Sequence, residues 1–196
     1  SSDILIRGFD WGFTAPFATV WIAINHDDEM IVFKEWIGTK DGTNKGLMMG
    51  ADEVGRTIFD MEKQHGLHIS YGASDPACWG KQNEGESIGE ILENCGLYMD
   101  RAKNNRTAGK QQMHMRLRVN EYSKKPKLFF TKDCPITYRS LREIQTDARN
   151  PEAYDTSGFD HAIDALRYAI MERPMGTNIE EEPETQGHME TSIQEF

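Results

Sequence analysis

No apolar run in this 196-residue chain approaches the roughly 20 residues that a membrane-spanning helix requires. Cysteine is scarce: Cys78, Cys95 and Cys134 are odd in number and widely spaced. That pattern fits neither a disulfide framework nor a zinc site, and it points to a reducing cytosol. The start, Ser1-Ser2-Asp3, lacks the basic region and apolar block of a secretory signal. Ser1-Ser2 reads as a cloning remnant, the mark of a piece excised from a longer protein. The phosphate-binding pattern G-x-x-x-x-G-K-[ST] is missing too, because Gln82 follows Gly80-Lys81 and Asp75 stands where its first glycine belongs. ATP hydrolysis is therefore not expected from this chain. No Ser/His/Asp or Cys/His nucleophile arrangement stands out either.

What is present suits one soluble domain, with 38% apolar and 28% charged residues. The net charge of −10 argues against a polyanionic partner only if the charge is evenly spread, and it is not. Residues 174 to 196 hold six acids and no Lys or Arg, and this low-apolar tail is expected to be disordered on its own. Residues 101 to 127 hold nine Lys or Arg against one acid, Glu121. Such a stripe matters more for nucleic-acid binding than the global sum. Its members are Arg101, Lys103, Arg106, Lys110, Arg116, Arg118, Lys124, Lys125 and Lys127, with amides between them that also suit phosphate oxygens. A solvated helix face is the bland alternative.

Three β-rich runs, 4–10, 17–25 and 30–38, are separated by short turns and predict an antiparallel meander. Helical spacing follows over 46–66, then a fourth strand over 68–75. A Ser-x-x-Glu capping pattern opens a helix at Ser87, and a short strand occupies 97–102. A helix over 108–122, a strand over 127–130, a helix opened by Pro135 and running to 148, and a last helix from Phe159 to about Glu172 complete the reading. This is an α/β domain over 1–173 with a mixed sheet flanked by helices.

Asp10 and Asp75 each close a predicted strand. If those strands are adjacent and parallel, both carboxylates emerge at the C-terminal sheet edge, where sites of open α/β sheets lie. In "GFDHAIDALRYAIMER", Asp160 and Asp164 are one turn apart and can face the same crevice, with His161 beside them. Several carboxylates brought together repel unless a cation joins them. Oxygen ligands select Mg²⁺ or Mn²⁺, and two such ions suit phosphodiester hydrolysis. Each residue has a plainer role: Asp10 or Asp75 as turn residue or cap, Asp160 as an N-terminal helix charge, Asp164 as partner of Arg167. His161 is either a ligand, a proton carrier or a hydrogen-bonded edge residue. Trp79 and Lys81 lie just past Asp75, where a loop can touch substrate; a tryptophan that packs in the core is the plainer reading.

"RGFDWGFTAP", "YGASDPA" and "GFDHAIDALRYAI" together resemble the nuclease domain of the large terminase subunit of tailed double-stranded DNA bacteriophages, over residues 4 to 172. The resemblance implies an RNase H-like fold and a Mg²⁺- or Mn²⁺-dependent endonuclease that cleaves concatemeric viral DNA during packaging. It implies catalytic and metal-binding roles for Asp10, Asp75 and the pair Asp160 and Asp164, with Asp164 favoured as direct ligand and His161 assisting. It further implies double-stranded DNA, the portal protein, the small terminase subunit and an N-terminal ATPase domain as partners, action in the host cytoplasm, and portal docking by the acidic tail. Two other readings remain open from the residues: another RNase H-like nuclease, such as a resolvase or ribonuclease, and a non-catalytic portal-docking module.

Overall fold

The computed structural model describes residues 3–80, 85–155 and 158–175. Lys81, His188 and nearly all of the acidic tail lie outside the described residues. The three β-branched and aromatic runs pair as expected: β1 (Ile4–Asp10) antiparallel to β2 (Ala18–Ile24), and β2 antiparallel to β3 (Met30–Ile37). β4 (Ile69–Ser74) lies parallel to β1, with Phe9 opposite Ser74. β5 (Asp100–Arg101) lies parallel to β4, and β6 (Leu128–Phe130) parallel to β3. The sheet order is β5-β4-β1-β2-β3-β6, a mixed sheet as the sequence indicates.

Helices cover both faces. α1 (Ala51–Gln64) and α2 (Ile88–Asn94) enclose one core with Phe9 and Trp21. There the Glu62 carboxylate accepts from both Arg7 and the Trp21 indole. A buried charge is tolerable only when paired in this way. On the other face, α5 (His161–Glu172) lies along β1, β2 and β4, between α3 (Arg106–Leu117) and α4 (Pro135–Glu143). Its Ala162, Ala165 and Ala169 are fully buried. Gly8 makes this approach possible: a Cβ there would sit 2.0 Å from the Ala165 carbonyl oxygen. Side chains alternate along a strand, so Gly8 and Asp10 share the face that α5 covers.

Several helix ends differ from the sequence reading. α1 begins at Ala51 rather than 46, because the backbone N–H groups of Gly46 and Leu47 go to Thr14 and Gly38 instead. α3 stops at Leu117 and not 122, where Asn120 accepts from the N–H groups of Tyr122 and Ser123 to build a turn. α4 ends at Glu143 rather than 148, since the chain turns back to bridge Thr146 with Tyr154. Asn and Ser compete with helix through such local bonds.

Candidate nuclease site

Asp10 is the last residue of β1, and its side chain is tucked beneath the start of α5 with 6% exposure. Its Oδ2 lies 2.9 Å from His161 Nδ1, while His161 Nε2 lies 3.2 Å from Asn44 Oδ1. With an oxygen facing each ring nitrogen, both bonds are made only by the imidazolium, which donates from both. Burial by itself would lower the His161 pKa. The hydrogen bond the ring donates to Asp10 and the charges of Asp10, Asp160 and Asp164 outweigh it and leave the ring above its ordinary value. Burial raises the Asp10 carboxyl to about 6, against the lowering by His161, and the charges of Asp164 and Asp75 push in the same direction as burial.

Asp75 is the first residue past β4, parallel and adjacent to β1, so both carboxylates do emerge at one sheet edge. Its Oδ1 accepts from the Ala77 N–H at 2.9 Å and caps the 3-10 turn Pro76–Trp79. Asp160 sits at the N-cap of α5, buried and without a side-chain capping bond. Burial and then the Asp164 charge raise its carboxyl. Asp164, one turn into the helix, accepts from Arg167, whose Nη2 is 2.8 Å away. Arg167 is itself buried and reaches Asn104 Oδ1 at 3.1 Å. It lies across Gly109 of α3, where a Cβ would be 2.5 Å from its side chain.

Four aspartates and one histidine thus gather at the C-terminal edge, within range of one another's charge. In kind they fit a hard divalent cation, since carboxylate oxygens are its preferred donors. In placement they are not a finished cage: among the described residues no three His, Cys, Asp or Glu stand close enough together to hold a metal ion. The reason is visible in the partners. Arg167 holds Asp164, His161 holds Asp10, and the Ala77 N–H holds one oxygen of Asp75. Two members of this network were not read as site residues from the sequence: Asn44, an amide in a polar loop, and Asn104, one of the amides read only as suited to phosphate oxygens; tertiary folding brings both to the site.

The basic segment does not form one stripe. β5 ends at Arg101 opposite Ser74, so Arg101, Lys103 and Arg106 lie exposed at the site edge. The Arg101 guanidinium stacks 5.3 Å from the Trp79 ring. From there α3 runs toward the other edge. Two of the candidate DNA contacts are buried and bonded inside the protein. Lys110 is buried, its ammonium donating to Thr146 Oγ1 and the carbonyls of Pro151 and Ala153. Arg116 has 0% exposure and is spent on Asp28 and the Arg173 carbonyl. Arg118, Lys124 and Lys125 are exposed, but they belong to the segment joining α3 to the start of β6, at the opposite sheet edge from Asp10. A seven-residue strand makes that separation about 20 Å.

No family model and no curated protein matches the sequence. Solved structures do. A large terminase from a thermophilic bacteriophage superposes with a TM-score of 0.67 at 16% identity, covering 86% of this chain and 39% of that one. The P22 large terminase nuclease domain gives 0.64 at 18% identity over 88% of this chain and 82% of that domain. The large terminase nuclease from the thermophilic phage G20c, with bound cobalt, gives 0.53 at 12% over 86% and 80%. This chain therefore spans about two fifths of the length of the first of these terminases. It has the RNase H-like fold of terminase nuclease domains.

Proposed function

We propose that the chain is a divalent-metal-dependent endonuclease that cuts concatemeric viral double-stranded DNA during genome packaging. The observation that carries this reading is Asp10. It is a buried carboxyl raised to about 6, with the charges of Asp75 and Asp164 acting on it and an imidazolium as its hydrogen-bond partner. A fold does not keep so costly an arrangement for stability alone. Asp10, Asp75 and Asp164 would hold Mg²⁺ or Mn²⁺, with Asp160 alongside. When bound, a pair of such ions supplies the positive charge that activates water and steadies the departing oxygen of a phosphodiester.

The chain's own residues have separate tasks. Asp164 frees its oxygens by turning from Arg167, whose remaining bond to Asn104 keeps the guanidinium anchored. His161 holds a proton on Nδ1 toward Asp10 and is itself oriented by Asn44. Arg101, Lys103 and Arg106 hold the phosphate backbone beside the site, and Lys81, two positions after Trp79 in the sequence, is proposed to join them. In the complete packaging motor this domain would work beside an ATPase domain, the small terminase subunit and the portal in the host cytoplasm, with the acidic tail as the portal contact.

Plasmid cleavage tests the reading. Nicking and linearisation are expected with Mn²⁺ or Mg²⁺, and loss of both in Asp10→Ala and in Asp75→Ala with circular dichroism unchanged. Cutting that persists in both variants, or in excess EDTA, overturns it.

A further inference from the structure

We propose that Phe13, Leu47 and Met48 form an apolar wedge that enters a base step of duplex DNA beside the cut site, an inference that rests on the nuclease reading above. The three side chains are 47%, 43% and 64% exposed. They sit on two loops, residues 11–17 after β1 and 38–50 after β3, that are tied together by their backbones. Gly46 N–H donates to the Thr14 carbonyl at 2.8 Å and Met48 N–H to the Phe13 carbonyl at 3.2 Å, while within the second loop Leu47 N–H donates to the Gly38 carbonyl at 3.1 Å. The crossing is tight enough that a Cβ at Gly46 would lie 2.3 Å from the carbonyl oxygens of Phe13 and Ala15. Met48 is held at φ 56°, in the left-handed region that such a residue rarely adopts. The fold thus keeps exposed apolar side chains on a braced, locally strained support, and strain of this kind clusters at functional positions.

The surroundings say what the wedge meets. Phe13 follows Asp10 by three residues, and Leu47 follows Asn44, the His161 partner, by three. Lys40 and Lys45 face each other across the hairpin, with Lys40 N–H donating to the Lys45 carbonyl at 2.8 Å; both are exposed, and Asp41 is the only acid in 39–46. A cleft of about 650 Å³ is lined by Phe13, Trp11, Ile88, Glu86 and Asp75. An apolar tip with two exposed lysines in the adjoining hairpin, next to a phosphodiester-cutting site, matches a duplex, with bases against the tip and phosphates against the lysines. A hydrophobic protein partner would instead have to bury both lysines. Wedges open pyrimidine–purine steps most readily, so cuts should concentrate near TA and CA/TG.

The test uses a duplex carrying 2-aminopurine at a central TA step, read in EDTA, and the same duplex read for cleavage in Mn²⁺. Wild-type protein should raise the fluorescence by unstacking the step. The Phe13→Ser/Met48→Ser double variant should abolish the rise and cut about tenfold more slowly, the scale of one lost stacking contact, with an unchanged melting temperature. A wild type that leaves the fluorescence unchanged, or a double variant that raises it equally, overturns the wedge even if cleavage proceeds. A fluorescence rise without any metal-dependent cleavage leaves the wedge standing and removes the nuclease reading.

Discussion

The two edges of the sheet treat acidic residues in opposite ways. At the N-terminal edge, Asp28 in the β2–β3 turn meets Arg116 at 3.3 Å and Arg173, and the Lys127 ammonium covers the Asp27 carbonyl. There Asp28 is answered twice, and buried Arg116 is locked in place. At the C-terminal edge, Asp10, Asp75, Asp160 and Asp164 gather about His161, with Arg167 spent on Asp164, and the Asp10 and Asp160 carboxyls are raised by burial and by the Asp164 charge. Matched charge is structural, whereas charge left short of a partner costs stability and is the mark of a site.

Exchanging one acid at each edge for its amide breaks this comparison most sharply. Asp10→Asn should lower Mn²⁺-dependent cleavage by about 10²–10³-fold or more, while the melting temperature of the metal-free protein rises. Asp28→Asn should leave cleavage intact in the folded protein and cost about 2–3 kcal/mol in urea unfolding, because it strands the buried Arg116 guanidinium. Asparagine also tolerates the positive φ at residue 28, so the backbone is not the cause. Loss of stability in Asp10→Asn would contradict the distinction.

The pH dependence sharpens it. The folded Asp10 carboxyl binds its proton more tightly than the unfolded one, so the native state holds more protons between about pH 4 and its value of about 6. Stability of the metal-free protein should therefore fall as pH rises through that window, by up to about 3 kcal/mol. His161, also raised, contributes stability below about pH 6.5 that is lost as pH climbs through its folded value. Urea denaturation from pH 4 to 8 should show the decline, and Asp10→Asn should remove its lower part. A profile that rises between pH 4 and 6 contradicts the assignment.

The smallest effect separates the halves of the basic segment. Arg101→Ala/Lys103→Ala should weaken DNA binding severalfold and reduce the slope of log K against log salt by about 1–2. Lys124→Ala/Lys125→Ala, at the far edge, should change both by less than about twofold. Filter binding across a salt series distinguishes them, and equal effects would restore a continuous stripe.

Much of this architecture is legible in the chain. Strand runs, the Ser87 capping box and the alanine face of α5 have short-range causes, since each follows from residues within a few positions of one another. The aspartates are legible for the same reason, as strand ends and as a one-turn helical pair. The basic segment misled because charge composition carries no direction. Lys110 and Arg116 look like their neighbours in sequence but point into the protein, where carbonyls and Asp28 were out of reach of any local argument. The Asn44 and Asn104 contacts likewise join residues 117 and 63 positions apart.

Local pattern thus determined which elements form and which carboxylates stand at strand ends and on one helix turn, because periodicity, caps and turns act over a single turn or strand. Tertiary structure decided which of those side chains meet. Gly8 lets α5 settle onto β1, and that approach sets His161 on Asp10 and leaves Asp164 to Arg167. The parallel pairing of β1 with β4 sends Asp75 to the same edge. Coulomb forces and desolvation act through space and not along the chain, so the balance of charge at each edge exists only once the sheet has closed.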